Sequence, residues 1–140
     1  DAQVVETTGG KVLAGVFGEE KYGADHYFTK LENCTLEVNN NGNGIFSTGA
    51  VINVKDSTGK VIETYTVAVT NDLNGDGVSD SNDTSAISIV GTGLGVFEEA
   101  YLSVAADMNG DNIIDSGDSK NSNMVAVGVA VVDYVNRTIA

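Results

Sequence analysis

Along the first half of the chain, apolar and polar positions follow strand patterns broken by turn residues. Lys11 to Phe17 is an apolar, β-compatible run bounded by Gly9-Gly10 and Gly18. Cys34 to Val38 alternates with period two, and the Asn- and Gly-rich segment 39–44 then ends it as a turn cluster. Ala50, Ile52 and Val54 alternate with polar neighbours, Asp56-Ser-Thr-Gly-Lys60 forms a turn, and Val61, Tyr65, Val67 and Val69 alternate back. That is a β-hairpin with one buried face. Ala24 to Glu32 instead carries Tyr27, Phe28 and Leu31 at helical spacing, enough for a short helix with an apolar stripe. Residues 1–70 therefore predict a small α+β module: strand, short helix, strand, hairpin.

Residues 71–140 follow a different rhythm, in which polar, Asp-rich loops lead into helices. Helices are predicted after Asp83 and after Asp118, with Ser81 and Ser116 or the closing Asp near each N-terminus. Gly91, Gly93 and Gly95 keep the first of them short. Between the two, Val96 to Ala105 reads as a helix with Phe97, Tyr101 and Val104 on one side. Met124 to Val132 is β-branched and looks like a strand by propensity. Its place after a loop, ahead of the polar Asp133-Tyr-Val-Asn-Arg137, assigns it to the helix. One residue, Asn71, separates Thr70 from Asp72, and no Gly/Ser or Pro spacer is present. The two modules are thus expected to share an apolar contact and form one rigid unit.

The loops are one twelve-residue pattern written twice, 35 residues apart, at Asp72–Asp83 and Asp107–Asp118. Oxygen-bearing side chains fall at positions 1, 3, 5, 9 and 12, the spacing that wraps a hard divalent cation. In the first loop the expected ligands are Asp72, Asn74, Asp76, the carbonyl of Val78, Asp80 directly or through water, and Asp83. In the second they are Asp107, Asn109, Asp111, the carbonyl of Ile113, Asp115 and Asp118. An oxygen-only set without His or Cys suits Ca²⁺ or Mg²⁺ rather than zinc or copper. Gly77 at position 6 supplies a left-handed turn, and Asn112, the usual non-Gly residue in that region, supplies it in the second loop. Position 12 is Asp in both loops where a standard EF-hand has Glu. The shorter side chain must draw the following helix in or give up a ligand atom. A single such loop is equally a solvated Asx-type turn; the repeat is what favours a metal.

Composition sharpens this reading. The 140 residues carry 20 acids against 7 bases, a formal charge of −13, and eight of those acids sit in the loops. Two Ca²⁺ ions would cancel four units, and the remaining acidity disfavours nucleic acid or an anionic membrane as partner. Four carboxylates crowded in each loop repel one another, so the metal-free form should loosen. Cys34, the one cysteine, excludes an internal disulfide and reads as a small hydrophobe. His26 is the one histidine, and no nucleophile–base pair is in view, so no catalytic residue and no enzymatic activity are expected. No apolar stretch spans a bilayer, no signal peptide is seen, and a start at Asp1 reads as the mature fragment of something longer.

Paired loops of the form Asp-x-Asn-x-Asp-Gly-x-x-[Asn/Asp]-Ser-x-Asp, each leading into a helix and lacking an incoming helix, resemble those of dockerins, with Asn112 in place of Gly in the second loop. These are calcium-dependent docking modules of cellulosomal proteins of anaerobic bacteria. The resemblance covers about residues 71–135, and residues 1–70 are similar to the X-modules that accompany dockerins. It implies an α+β N-terminal module, a short helix on a small antiparallel or mixed sheet, joined to an all-α C-terminal module. It further implies two bound calcium ions and a cohesin partner on a scaffoldin or cell-surface anchor. The setting implied is a secreted or cell-surface bacterial protein of polysaccharide degradation, without membrane insertion. The partner-facing residues would be Ser81, Asn82, Ala86, Ile87 and Ile89 in the first repeat. In the second they would be Ser116, Gly117, Lys120, Asn121, Asn123 and Met124. Asn82 and Gly117 depart from the frequent pattern, and position 8 is Ser79 in one loop and Ile114 in the other. Because the two faces differ, one binding orientation should dominate, led by the apolar first helix. Two alternatives stand beside docking: a calcium-stiffened extracellular spacer, and an EF-hand calcium sensor. The missing incoming helices, Asp at position 12 and only two methionines speak against the sensor.

Overall fold

The computed structural model describes residues 3–7, 9–16, 33–39, 47–134 and 136–139. The helix expected at 24–32, with His26, and most of the turn cluster at 39–44 lie outside them. The elements run β1 (Gln3–Thr7), β2 (Gly10–Ala14), β3 (Thr35–Asn39), β4 (Val51–Lys55), β5 (Val61–Val67), α1 (Ser81–Gly91), α2 (Ala100–Ala106), α3 (Ser116–Ala126), β6 (Val132–Asp133) and β7 (Thr138–Ile139). The first five strands form one sheet in the order β1-β2-β5-β4-β3. The β2–β5 pairing is parallel and the others antiparallel.

The β4–β5 hairpin forms as its alternation predicts: Ile52 and Val54 point into the core and Asn53 and Lys55 lie between. Asp56 closes the turn by accepting from the Thr58 and Lys60 amides and from the Thr58 hydroxyl. These three donors hold its carboxyl below the usual range. The start of β5 departs from the expected register. A bulge at Val54/Lys55 puts Glu63 opposite Val54, and Val61 and Ile62 are left 42% and 53% exposed. Strand β1 was not legible in the sequence; it is an edge strand, mostly exposed, with only Val5 turned to the core.

The sheet buries both faces. Leu13, Val16, Ala50, Ile52, Val67 and Val69 form one apolar cluster. On the other face Val12, Ala14 and Ala68 join Leu73, Ile87, Val104, Ala105, Ala106 and Met108. Successive residues of β2 alternate between the clusters, as the strand's two-residue period requires. The helices thus layer on the sheet through a shared apolar contact. Phe97 and Tyr101, predicted on one side of the middle helix, pack there too, although α2 starts at Ala100 rather than Val96.

These observations correct the expected fold class. The chain is a mixed α/β fold with a five-stranded sheet and three short helices, not an α+β module followed by an all-α one. The overturned element is the helix assigned to Met124–Val132. Helix α3 ends at Ala126, and Gly128, at φ +81°, turns the chain while the amides of Gly128 and Val129 bond back to Val125 and Met124. Beyond that stop the β-branched residues follow their own propensity, and β6 pairs with β7. Ile139 of this ribbon packs on the helix-side cluster, and Tyr134 on the other.

Candidate metal centre

Each Asp-rich loop is folded by its own carboxylates, and most bonds of one network recur in the other. The Asp at position 1 is almost fully buried. Asp72 accepts from the amides of Gly75 and Gly77, both at 3.1 Å. Asp107 accepts from Gly110 at 2.8 Å and Asn112 at 2.9 Å. The Asn at position 3 accepts from the amide at position 5: Asn74 from Asp76, Asn109 from Asp111. Position 5 in turn accepts from position 7, Asp76 from Val78 and Asp111 from Ile113. Such short Asx bonds curl the backbone so that the carboxylates line the inside of the turn.

Positions 9 and 12 tie loop to helix. Asp80 and Asp115 are the N-caps of α1 and α3, and each forms a capping box with the Asp three residues on. Asp83 Oδ1 accepts from the Leu73 amide and Asp118 Oδ1 from the Met108 amide, both at 2.7 Å. Their Oδ2 atoms take the amides of Asp80 and Asp115 at 2.9 Å. This is why position 12 can be Asp: it sits at the third helical residue, close enough to clamp both ends of the loop. Gly77 and Asn112 adopt positive φ, 80° and 65°, as position 6 demands. Position 4, Gly75 and Gly110, does so as well, at 74° and 78°. That requirement was readable in the sequence, since Gly stands there in both copies.

Burial makes these carboxylates costly. Asp83 is pushed up to about 6, first by desolvation and further by the charge of Asp72, against the pull of its three amide donors. Asp72 is raised by burial, with Asp76 adding to it, and Asp118 by burial, with Asp107 and Asp111 adding to it. A divalent cation would offset all of these terms at once. In the second loop, one carboxylate oxygen from each of Asp107, Asp111 and Asp118 lies within 4.8 Å of the others. Among the described residues no other trio of His, Cys, Asp or Glu side chains meets that spacing, so the acids of the first loop are not drawn together as closely. The first loop also differs in its contacts: Asp72 Oδ2 accepts from the Thr48 amide, 3.0 Å away on the sheet side, and Asp83 Oδ1 accepts from the Asn74 amide at 3.3 Å as well. Val78 and Ile113, expected to use main-chain oxygen, expose their side chains at 46% and 59%. The donor set is all oxygen, buried at positions 1 and 12 and exposed at positions 3 and 5, and its chemistry suits a hard divalent cation.

The residues expected to face a partner divide by burial. Ser81, Asn82 and Ile89 are exposed on α1, and Ser116, Lys120 and Asn123 on α3; Ala86, Gly117, Asn121 and Met124 are half-buried. Ile87 is corrected: at 0% exposure it belongs to the core cluster and offers nothing outward. Asn121 instead donates to the carbonyl of Met108. Position 8 is also divided, because Ile114 packs on the core while the Ser79 hydroxyl donates to the Asn71 carbonyl. Cys34 is half-buried and free of disulfide bonding.

The buried polar groups Thr48, Asn71 and Ser122 and the half-buried Thr84 were missed from the sequence, since isolated Ser, Thr and Asn carry no periodic signal. Among the described residues no helix is long and apolar enough to cross a membrane. No family model, curated protein or solved structure matches the chain.

Proposed function

We propose that this chain is a calcium-dependent protein–protein docking module that binds a cohesin-type β-sandwich and so assembles or anchors a multi-enzyme complex outside a bacterial cell. The observation that carries the reading is the duplicated carboxylate network of Asp72–Asp83 and Asp107–Asp118, each ending as the N-cap of a helix. Bound calcium would neutralise the buried acids of each loop. The chain's own residues do the rest: the capping boxes fix where α1 and α3 begin, and the helices present Ser81, Asn82 and Ile89 beside Ser116, Lys120 and Asn123. A surface organised before the encounter loses less conformational freedom on binding. A stable interface of this type buries roughly 1,200–2,000 Å² in total. The proposed role is assembly without chemistry on a substrate.

The test is calorimetric titration of the full chain against a panel of cohesins, with calcium and with EGTA. Tight binding to at least one cohesin, lost on chelation, is expected. Cation uptake with no cohesin bound would favour the second reading, a calcium-stiffened extracellular spacer. One contact supports that alternative: the Thr48 amide on Asp72 joins the first loop to the sheet.

A further inference from the structure

Between the two loops runs a polar bridge, buried at Asn71 and Ser122 and half-buried at Thr84. Asn71, directly before the first loop, is fully buried and held at φ +67°, a left-handed conformation few residues other than Gly adopt. Its amide donates to the carbonyl of Ala105, two residues before the second loop, at 2.9 Å. Its own carbonyl accepts from Ser79, inside the first loop, at 3.2 Å. Its side-chain oxygen accepts from the Ser122 hydroxyl at 2.6 Å, and Ser122 stands on α3, the helix that the second loop starts. The Ser122 hydroxyl also lies 2.7 Å from the Thr84 hydroxyl, a hydrogen bond in which either oxygen can be the donor. Thr84 stands on α1, the helix that the first loop starts.

Ser122 holds a place in its repeat that Ile87 holds in the other, and both are fully buried. An apolar residue would serve the core there; a hydroxyl serves a connection. The Asn71 side-chain nitrogen is left buried without a partner among the described residues, an unfavourable arrangement held by the bonds around it. Two further contacts join the same parts. Leu73 and Met108, at position 2 of each loop, enter one apolar cluster. Gly91 at the end of α1 comes so close to the second loop that a Cβ would lie 2.8 Å from the Asp115 carbonyl oxygen.

We propose that the two loops take up cations cooperatively, coupled through the Asn71–Ser122–Thr84 bridge. This rests on the cation reading above. Ordering either loop fixes Asn71 and its partners, and so supplies part of the order that the other loop needs. A second ion then meets less disorder than the first, which is positive cooperativity without a large change of shape.

The test is calorimetric titration of calcium into the full chain after removal of metal by chelator, with helix content followed by circular dichroism. The wild type should bind two equivalents with a Hill coefficient above 1 and a coupling of roughly 5–150-fold in affinity. Ser122→Ala and, separately, the near-isosteric Thr84→Val should still bind two equivalents with the coupling lowered toward 1. Ser88→Ala breaks the other hydroxyl contact between these helices, Ser88–Ser119, and should leave the coupling intact. If Ser122→Ala fails to fold, Thr84→Val decides the matter. Independent sites in the wild type would overturn the coupling, as would full coupling in the variants or equal loss in Ser88→Ala. No uptake by any form would overturn the cation reading and the coupling with it.

Discussion

Asp83 has the largest consequence of any single side chain. Its folded-state value is raised from 3.8 to about 6, chiefly by burial. The folded protein therefore holds this proton more tightly than the unfolded chain does, and the group's contribution to stability falls as pH rises through about 6. Without metal, lowering pH from 7 to 5 should stabilise the fold by on the order of 1 kcal/mol through this group. Thermal melts in EGTA at the two pH values check the sign. In saturating calcium the gain should shrink or reverse, because protons then compete with the ion. A second pair of residues separates core from surface. Ile87→Ala should cost about 2–5 kcal/mol in denaturant unfolding, as a fully buried aliphatic does. Ile89→Ala, at a site 53% exposed, should leave stability nearly unchanged and weaken cohesin binding instead. The reverse pattern would place Ile87 at the partner surface.

Elements stop and start where local chemistry dictates. The two capping boxes set the first residues of α1 and α3, and positive-φ glycines past the ends, Gly93 and Gly128, close them. Gly128→Ala should cost about 1 kcal/mol for the left-handed conformation alone. Gly91 has a different reason to be small, since its Cβ would meet backbone of the second loop. Gly91→Ala should therefore push α1 from that loop, lowering the melting temperature and reducing calcium affinity at the second site. Gly128→Ala should lower stability with little effect on calcium, and a calcium titration of the two variants tells them apart. Both helices and the hairpin were legible in the sequence because capping and period-two alternation are local signals. The β6–β7 ribbon was misread: Gly128 is a local stop signal inside the run Met124–Val132, but the strand pairing that follows it joins residues outside that run.

For the molecule as a whole, the energetic question is how much of the fold would depend on two bound ions, which would cancel four units of its −13 charge. Filling one site at 100 times its dissociation constant adds about 2.7 kcal/mol to stability, and two sites roughly twice that. Calcium should thus raise the melting temperature markedly and EGTA should reverse it. The effect should reach the sheet, because Asp72 is joined to Thr48 and the helices share a core with β2. Melts followed at the far-ultraviolet helix band and, in a variant keeping Tyr65 of β5 as its one tyrosine, by tyrosine fluorescence should shift together. A shift confined to the helical signal would mean that the ions govern the loops alone.

The oxygen donors of the two loops, their left-handed turns at position 6 and the helices they begin were all legible from the order of residues alone. Each of those follows from bonds between residues within a dozen positions of one another. The hairpin was legible too, its alternation having meaning only against a buried face. Tertiary structure decided the rest: that Ile87 is core and not surface, that Thr48 reaches Asp72, and that Asn71, Ser122 and Thr84 meet. Those outcomes depend on which surfaces pack together over long separations, a property no short window of residues contains.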